Sequence, residues 1–286
     1  MNYKNLAAQA LTAALKVRSR AKAGLVSPVC PYDVCQELGI SVKFVDVNME
    51  GVYVREPKPR IVLSALRPLA RRNFTCGHEL GHHVFGHGSN LDLLIKDRED
   101  ENYNSPEEFL ADSFASSLLL PALGVRKAFA SRSWDAASAS PAQMYTVACN
   151  FGVGYTTLVN HLTYSLGQIS RTRANTLLRS SPQTVREGIL EQASSDTLTI
   201  IDRQWLASTA DVEVGALLLL PPDALPSNDT LLPVEDSSLP TLFRASRPGV
   251  VRVCTPDNSW AIFVRIMPFQ FRGLARYRHL EADEDD

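Results

Sequence analysis

Two histidines four residues apart with a glutamate beside the first, His78-Glu79-Leu80-Gly81-His82, point to metal chemistry. On an α-helix, residues i and i+4 share a face, so the Nε2 atoms of His78 and His82 can converge on one ion. Glu79 is displaced from that shared direction but can reach a water held at the metal, where a general base for hydrolysis stands. The chain holds six histidines, so a chance H-E-x-x-H is roughly a one per cent event or less. Leu80, Val84 and Phe85 give the opposite side of such a helix an apolar face that can enter a core.

A catalytic zinc takes three protein ligands and keeps one position open. The longer frame H-E-x-x-H-x-x-G-x-x-H needs Gly and His where this chain has Phe85 and Gly88, and His87 misses by one residue. A second helix beginning at Ser105-Pro106 offers carboxylates instead, in the pattern E-x-x-A-D-x-F-A from Glu108 to Ala115. Ser105 suits an N-cap, Pro106 the first helical position, and Glu107 and Glu108 the first turn, where the helix dipole alone would favour them. Glu108 and Asp112 are four apart and share a face, whereas Glu107 falls in line with Ala111, Phe114 and Leu118.

The third ligand expected is therefore Glu108, with Glu107 as the alternative. Asp112 is expected to accept the free ring N–H of a ligand histidine, His78 first, and so fix its tautomer. His83, turned about 100° from His82, and His87, which follows a helix-ending Gly, are not expected to ligate. Cys76 reads as a small buried hydrophobe. The cofactor expected is Zn2+, with another divalent ion such as Mn2+ as the alternative for the same donors.

Together, the run Phe74 to His83, the stretch Val26 to Leu63 and the segment Glu108 to Pro121 resemble the ImmA/IrrE family of zinc metallopeptidases. In that family a helix is followed by an L-G-I-x-V strand, a G-x-Y strand, an I-x-L strand, the zinc helix and the glutamate helix. Here these are Leu38-Gly39-Ile40-Ser41-Val42, Gly51-Val52-Tyr53 and Ile61-Val62-Leu63. Cys76 and Gly77 stand where Leu-Ala is commoner, and Asp112 where Asn is usual.

The resemblance implies a zincin-like fold and a protein substrate, a helix-turn-helix transcriptional repressor whose cleavage releases stress or mobile-element genes. The length beyond the peptidase part is similar to the radiation-response regulators of the family. In those a helix-turn-helix and a GAF-like domain follow, the latter a fold that often holds a small-molecule ligand.

The rest of the chain is read on its own terms. An α+β, multidomain organisation is expected, with a metallopeptidase domain over 1–123, a helical segment over 124–193 and an α+β domain over 194–286. Leu120 to Ala193 is helical and punctuated at Pro121, Ser140-Pro141 and Ser181-Pro182. Within it, Met144 to Leu162 reads as a helix-turn-helix around Phe151-Gly152-Val153. From Pro141 to Ser170 there is no Lys, Arg, Asp or Glu, so the phosphate contacts that give DNA readers their affinity are missing and direct DNA binding is not expected. After Thr197 short β-rich runs alternate with Pro, Asp, Asn and Ser clusters. Residues 281–286 read as an acidic, disordered tail. A chain ending near Ala193 is expected to fold and bind zinc.

Net charge is −2, which exerts no pull toward nucleic acid or membrane. Five cysteines at scattered positions imply free thiols and a reducing, cytoplasmic setting. The apolar run Leu6 to Leu15 is interrupted by Gln9 and Thr12 and leads into Lys16, Arg18, Arg20 and Lys22, which reads as a packed helix with a basic end rather than an export signal. No window reaches the roughly 18 apolar residues of a membrane span.

These features predict metal-assisted peptide hydrolysis, with Glu79 as base and a substrate strand laid antiparallel to an edge strand at Ile61-Val62-Leu63. Tyr53 is the candidate for oxyanion stabilisation. A different class of reading, a zinc-bearing DNA-binding regulator, is opposed by Glu79, since a structural zinc site needs no carboxylate beside it and more often has four protein ligands.

Overall fold

The computed structural model describes residues 2–88, 105–235 and 237–280. They fall into two compact units, one formed by residues up to Gly124 with Gln270–Tyr277, the other by Val125–Phe269 with the residues from Arg278.

The first unit begins with helix α1 (Tyr3–Arg20), which buries Ala10, Ala14 and Val17 and leaves its basic end outside, apart from Arg18. The Arg18 guanidinium is fully buried and donates to the carbonyls of Gly24, Ser27 and Leu118. Those bonds satisfy a charge that burial would otherwise penalise, and they fasten α1 to the end of a later helix. Helix α2 (Pro31–Glu37) follows, then strands β1 (Ser41–Val45), β2 (Gly51–Val54) and β3 (Arg60–Ser64), and helices α3 (Leu69–Phe85) and α4 (Pro106–Leu119). α3 packs on the sheet and α4 packs on α3, with Phe44, Ile61, Leu63, Cys76, Leu80, Phe114 and Leu118 meeting in one core.

The sheet has the order β12-β1-β3-β2, where β12 is Gly273–Leu274 near the end of the chain. β3 pairs in parallel with β1 and antiparallel with β2, so Ile61-Val62-Leu63 lies inside the sheet and is not the edge expected from its sequence. β2 lies at one free edge of the sheet and the short β12 at the other among the described residues. β12 pairs antiparallel with β1, Lys43 opposite Leu274, and brings Phe271 edge-on to Phe44 at 6.1 Å. A peptidase domain closed at 123 therefore omits a strand of its own sheet, because the backbone groups along β1 find their partner some 230 residues later in Gly273–Leu274.

The second unit opens with α5 (Ala122–Ala130), whose first turn belongs to the first unit, and continues with α6 (Pro141–Asn150), α7 (Tyr155–Asn160), α8 (Arg171–Leu177) and α9 (Pro182–Leu190). Ser140, Ser170 and Ser181 each cap the helix that follows, with a full capping box between Ser140 and Gln143. A short turn with Gly152 at φ 62° joins α6 to α7, and His161–Ser165 continues as a π-helical turn.

The strands after this are β4 (Leu198–Ile200), β5 (Thr209–Glu213), β6 (Leu217–Leu219), β7 (Leu225–Pro226), β8 (Leu231–Pro233), β9 (Leu242–Ala245), β10 (Gly249–Cys254) and β11 (Ala261–Met267). They form two four-stranded sheets, β5-β11-β10-β7 and β4-β6-β9-β8, around a core that includes Leu218, Val251, Val264 and Ile266. From Leu198 to Met267 the described elements are all strands, so the smaller α+β domain expected there is β-only over this span, with residues of both sheets sharing one core. The Tyr145 hydroxyl of α6 donates to the Leu198 carbonyl of β4 at 2.7 Å, and the boundary expected at 193/194 falls inside this one unit.

None of the five cysteines forms a disulfide; Cys35 and Cys76 are fully buried with their sulfurs 3.8 Å apart. No single described helix is long and apolar enough to cross a membrane. The acidic run 281–286 lies outside the described residues.

Candidate metal centre

α3 ends where Gly86 takes the left-handed conformation, φ 71°, which a side chain would resist. α4 starts at Ser105, whose hydroxyl accepts from the Glu108 N–H, with Pro106 at its first position. The two helices cross closely because small residues face each other, Gly77 and Gly81 on α3 against Ala111 and Ala115 on α4. A Cβ on Gly81 would stand 2.9 Å from the Ala111 Cα, inside normal contact distance. That approach sets Glu108, one turn before Ala111, against the histidines.

One ligand-type atom each from His78, His82 and Glu108 lie within 4.8 Å of one another. The two Nε2 atoms are 2.9 Å apart, and the Glu108 carboxylate oxygens are 3.3 Å from His78 Nε2 and 3.4 Å from His82 Nε2. Each ring has its other nitrogen occupied. His78 Nδ1 is 2.8 Å from Asp112 Oδ1, and His82 Nδ1 is 2.9 Å from His87 Nδ1. With each Nδ1 turned to its partner, the two Nε2 atoms and a carboxylate face one point, a borderline-soft N2O donor set suited to zinc. Glu107 is exposed and outside this cluster.

The electrostatics favour positive charge at that point. Burial works against a proton on His78, but its bonds to Asp112 and Glu108 outweigh it and push the imidazole up to about 10. Burial, with the neighbouring His78, lowers His82 to about 4. Glu108 is held below its usual range: burial raises it, but the bond to His78 and the surrounding imidazoles prevail. One added cation is thus stabilised by the acids around it, whether a proton or a metal ion. Glu79 lies beside the cluster, 8% exposed, and burial raises its carboxyl to about 7 against the opposing pull of His78 and the Tyr53 backbone N–H.

Two contacts here were not expected from the sequence. His87 lies against His82 because left-handed Gly86 turns the chain back over the last helical turn, its N–H reaching the His82 carbonyl; the Gly-His pair after the helix was the available signal. Tyr53 is buried and its hydroxyl is 2.8 Å from His83 Nδ1, tying the free edge strand to the helix. His83 itself is lowered, by burial first and then by the charges of Arg20 and Arg55.

Residues 35–163 match the IrrE N-terminal-like domain, Peptidase_M78. The match runs from the end of α2 past α4 into the helices of the second unit and supports the ImmA/IrrE family, a metallopeptidase-type one, for that segment. No curated protein matches the chain.

Proposed function

We propose that this protein is a zinc-dependent endopeptidase that cleaves one protein substrate, a helix-turn-helix repressor, and so switches on stress genes, the DNA-damage response among them. The observation that carries the reading is the convergence of His78, His82 and Glu108 with a buried Glu79 alongside. A zinc ion held by those three residues supplies Lewis-acid activation of water and of a peptide carbonyl. Glu79 takes the proton of the attacking water and returns it to the leaving amine. Asp112 holds His78 with Nε2 bare by accepting from Nδ1, and His87 does the same for His82. The substrate backbone adds to the free edge of β2, where the Tyr53 N–H already reaches the Glu79 side chain.

Purified, zinc-loaded protein incubated with the helix-turn-helix repressors encoded beside its gene should make a single internal cut in one of them. Glu79→Gln should keep its zinc and cut at least about a hundredfold more slowly. Equal cutting by that variant, or no cut in any such repressor, would overturn the proposal. Tyr53→Phe in the same assay shows whether the hydroxyl held by His83 also steadies the developing oxyanion.

A further inference from the structure

A half-open cavity of about 720 Å³ lies between α1 and the C-terminal turn of α3. Its rim carries Lys16, Arg20 and Gln9, its wall includes Val17 and Leu38, and His83 lines the α3 side. Lys16 and Arg20 are exposed, four residues apart on one face of α1, and among the described residues neither makes an ion pair. No acidic residue occurs before Asp33, while Lys4, Lys16, Arg20 and Lys22 do besides the buried Arg18, in a chain whose net charge is −2. A basic surface set against the sign of the whole chain favours an acidic partner.

His83 connects this cavity to the peptidase site. It stands one helical turn beyond Glu79 on α3 and meets the Tyr53 hydroxyl of the free edge strand. A polypeptide extended along β2 therefore comes to the cavity by way of His83. The apolar wall argues for a peptide over a nucleic-acid backbone, which would present phosphates to Val17 and Leu38.

We propose that this cavity docks an acidic, amphipathic segment of the polypeptide substrate, with a carboxylate between Lys16 and Arg20 and an apolar side chain on Val17 and Leu38. The proposal rests on the peptidase reading of the neighbouring site, since that reading makes the ligand a peptide.

Binding is measured on the full-length, zinc-loaded Glu79→Gln variant, which separates docking from cleavage. The probes are fluorescein-labelled peptides of alternating Glu and Leu, Gln and Leu, or Lys and Leu, and a labelled single-stranded oligonucleotide, followed by fluorescence anisotropy. The Glu peptide should bind about tenfold more tightly than the Gln peptide. Adding Lys16→Glu and Arg20→Glu should invert the order in favour of the Lys peptide, and Lys16→Gln with Arg20→Gln should erase it, all with unchanged thermal unfolding.

Equal affinity for Glu and Gln peptides overturns the proposal, as does a Glu preference that survives charge reversal or tighter binding of the oligonucleotide. Absence of repressor cleavage by the wild-type, zinc-loaded protein with the Glu preference intact would strike the peptidase reading alone. Intact cleavage without that preference would strike the docking site alone.

Discussion

Glu108 reaches the histidines because it is one turn ahead of the small residues where α4 meets α3, whereas its neighbour Glu107 faces solvent. Glu108→Ala should therefore release zinc as readily as His82→Ala does, and Glu107→Ala should retain it. Metal content of the three purified variants after brief chelation decides the matter; zinc lost with Glu107 and kept without Glu108 would reassign the ligand. A half-buried carboxylate of the second unit, Asp211 on β5, serves stability. Arg265 donates to both its oxygens at 2.6–2.7 Å, and His279 lies 3.2 Å away. Burial works against its charge, but His279 and the two arginines Arg265 and Arg278 hold it well below the usual carboxylate range. A carboxylate depressed in the folded state contributes stability that is complete above its unfolded value of about 4 and is lost as the pH falls below it. Asp211→Asn should cost about 3 kcal/mol at pH 7, with the gap to wild type narrowing below pH ~4 in denaturant titrations. A constant gap across that range would exclude the ion pair as its source.

At the scale of elements, the metal centre depends on how closely two helices approach. A Cβ placed on Gly81 would meet the Ala111 backbone at 2.9 Å and the Phe114 ring at 3.2 Å. Gly81→Ala should push α4 away from α3, lower stability by about 1–3 kcal/mol and weaken zinc binding together, although no ligand is altered. Thermal unfolding with and without zinc measures both effects; an unchanged response to zinc would mean the crossing does not set Glu108. Gly51 plays the corresponding part where β2 meets α3, with Thr75 Cγ2 at 2.7 Å from a Cβ placed there. The residues that admit this close packing carry no chemistry themselves, so a reading that looks for reactive side chains passes over them.

Across the whole molecule, the first unit is completed by residues from the far end of the chain. Phe271 packs edge-on to Phe44, Ala275 is buried in the same core, and β12 covers the edge of β1. A chain ending at Ala193 should then bind zinc poorly and unfold at a lower temperature, contrary to the expectation of an independent domain. Phe271→Ala in the full chain isolates the effect and should lower the unfolding midpoint of the zinc-binding unit by about 5 °C. Zinc release on heating reports that midpoint, and a truncated chain as robust as the whole would show β12 to be dispensable.

The shared helix face of His78 and His82, the place of Glu79 beside them and the helix starts at Ser105 and Ser140 were legible in the amino-acid sequence. Each depends on residues within about four of one another, and helical periodicity and capping operate over that distance. The nearness of Glu108 to the histidines was half legible, since spacing named a face of α4 but only the Gly81–Ala111 crossing brought that face to α3. What the sequence could not decide was which strand lies at the edge. Ile61-Val62-Leu63 and Val52-Tyr53-Val54 have the composition of strands, and nothing local says that one is flanked on both sides and the other on one. Pairing of β3 with β1 on one side and β2 on the other settles it, because a strand's backbone hydrogen bonds are made with partners outside its own segment, and its own residues do not say how many partners it has.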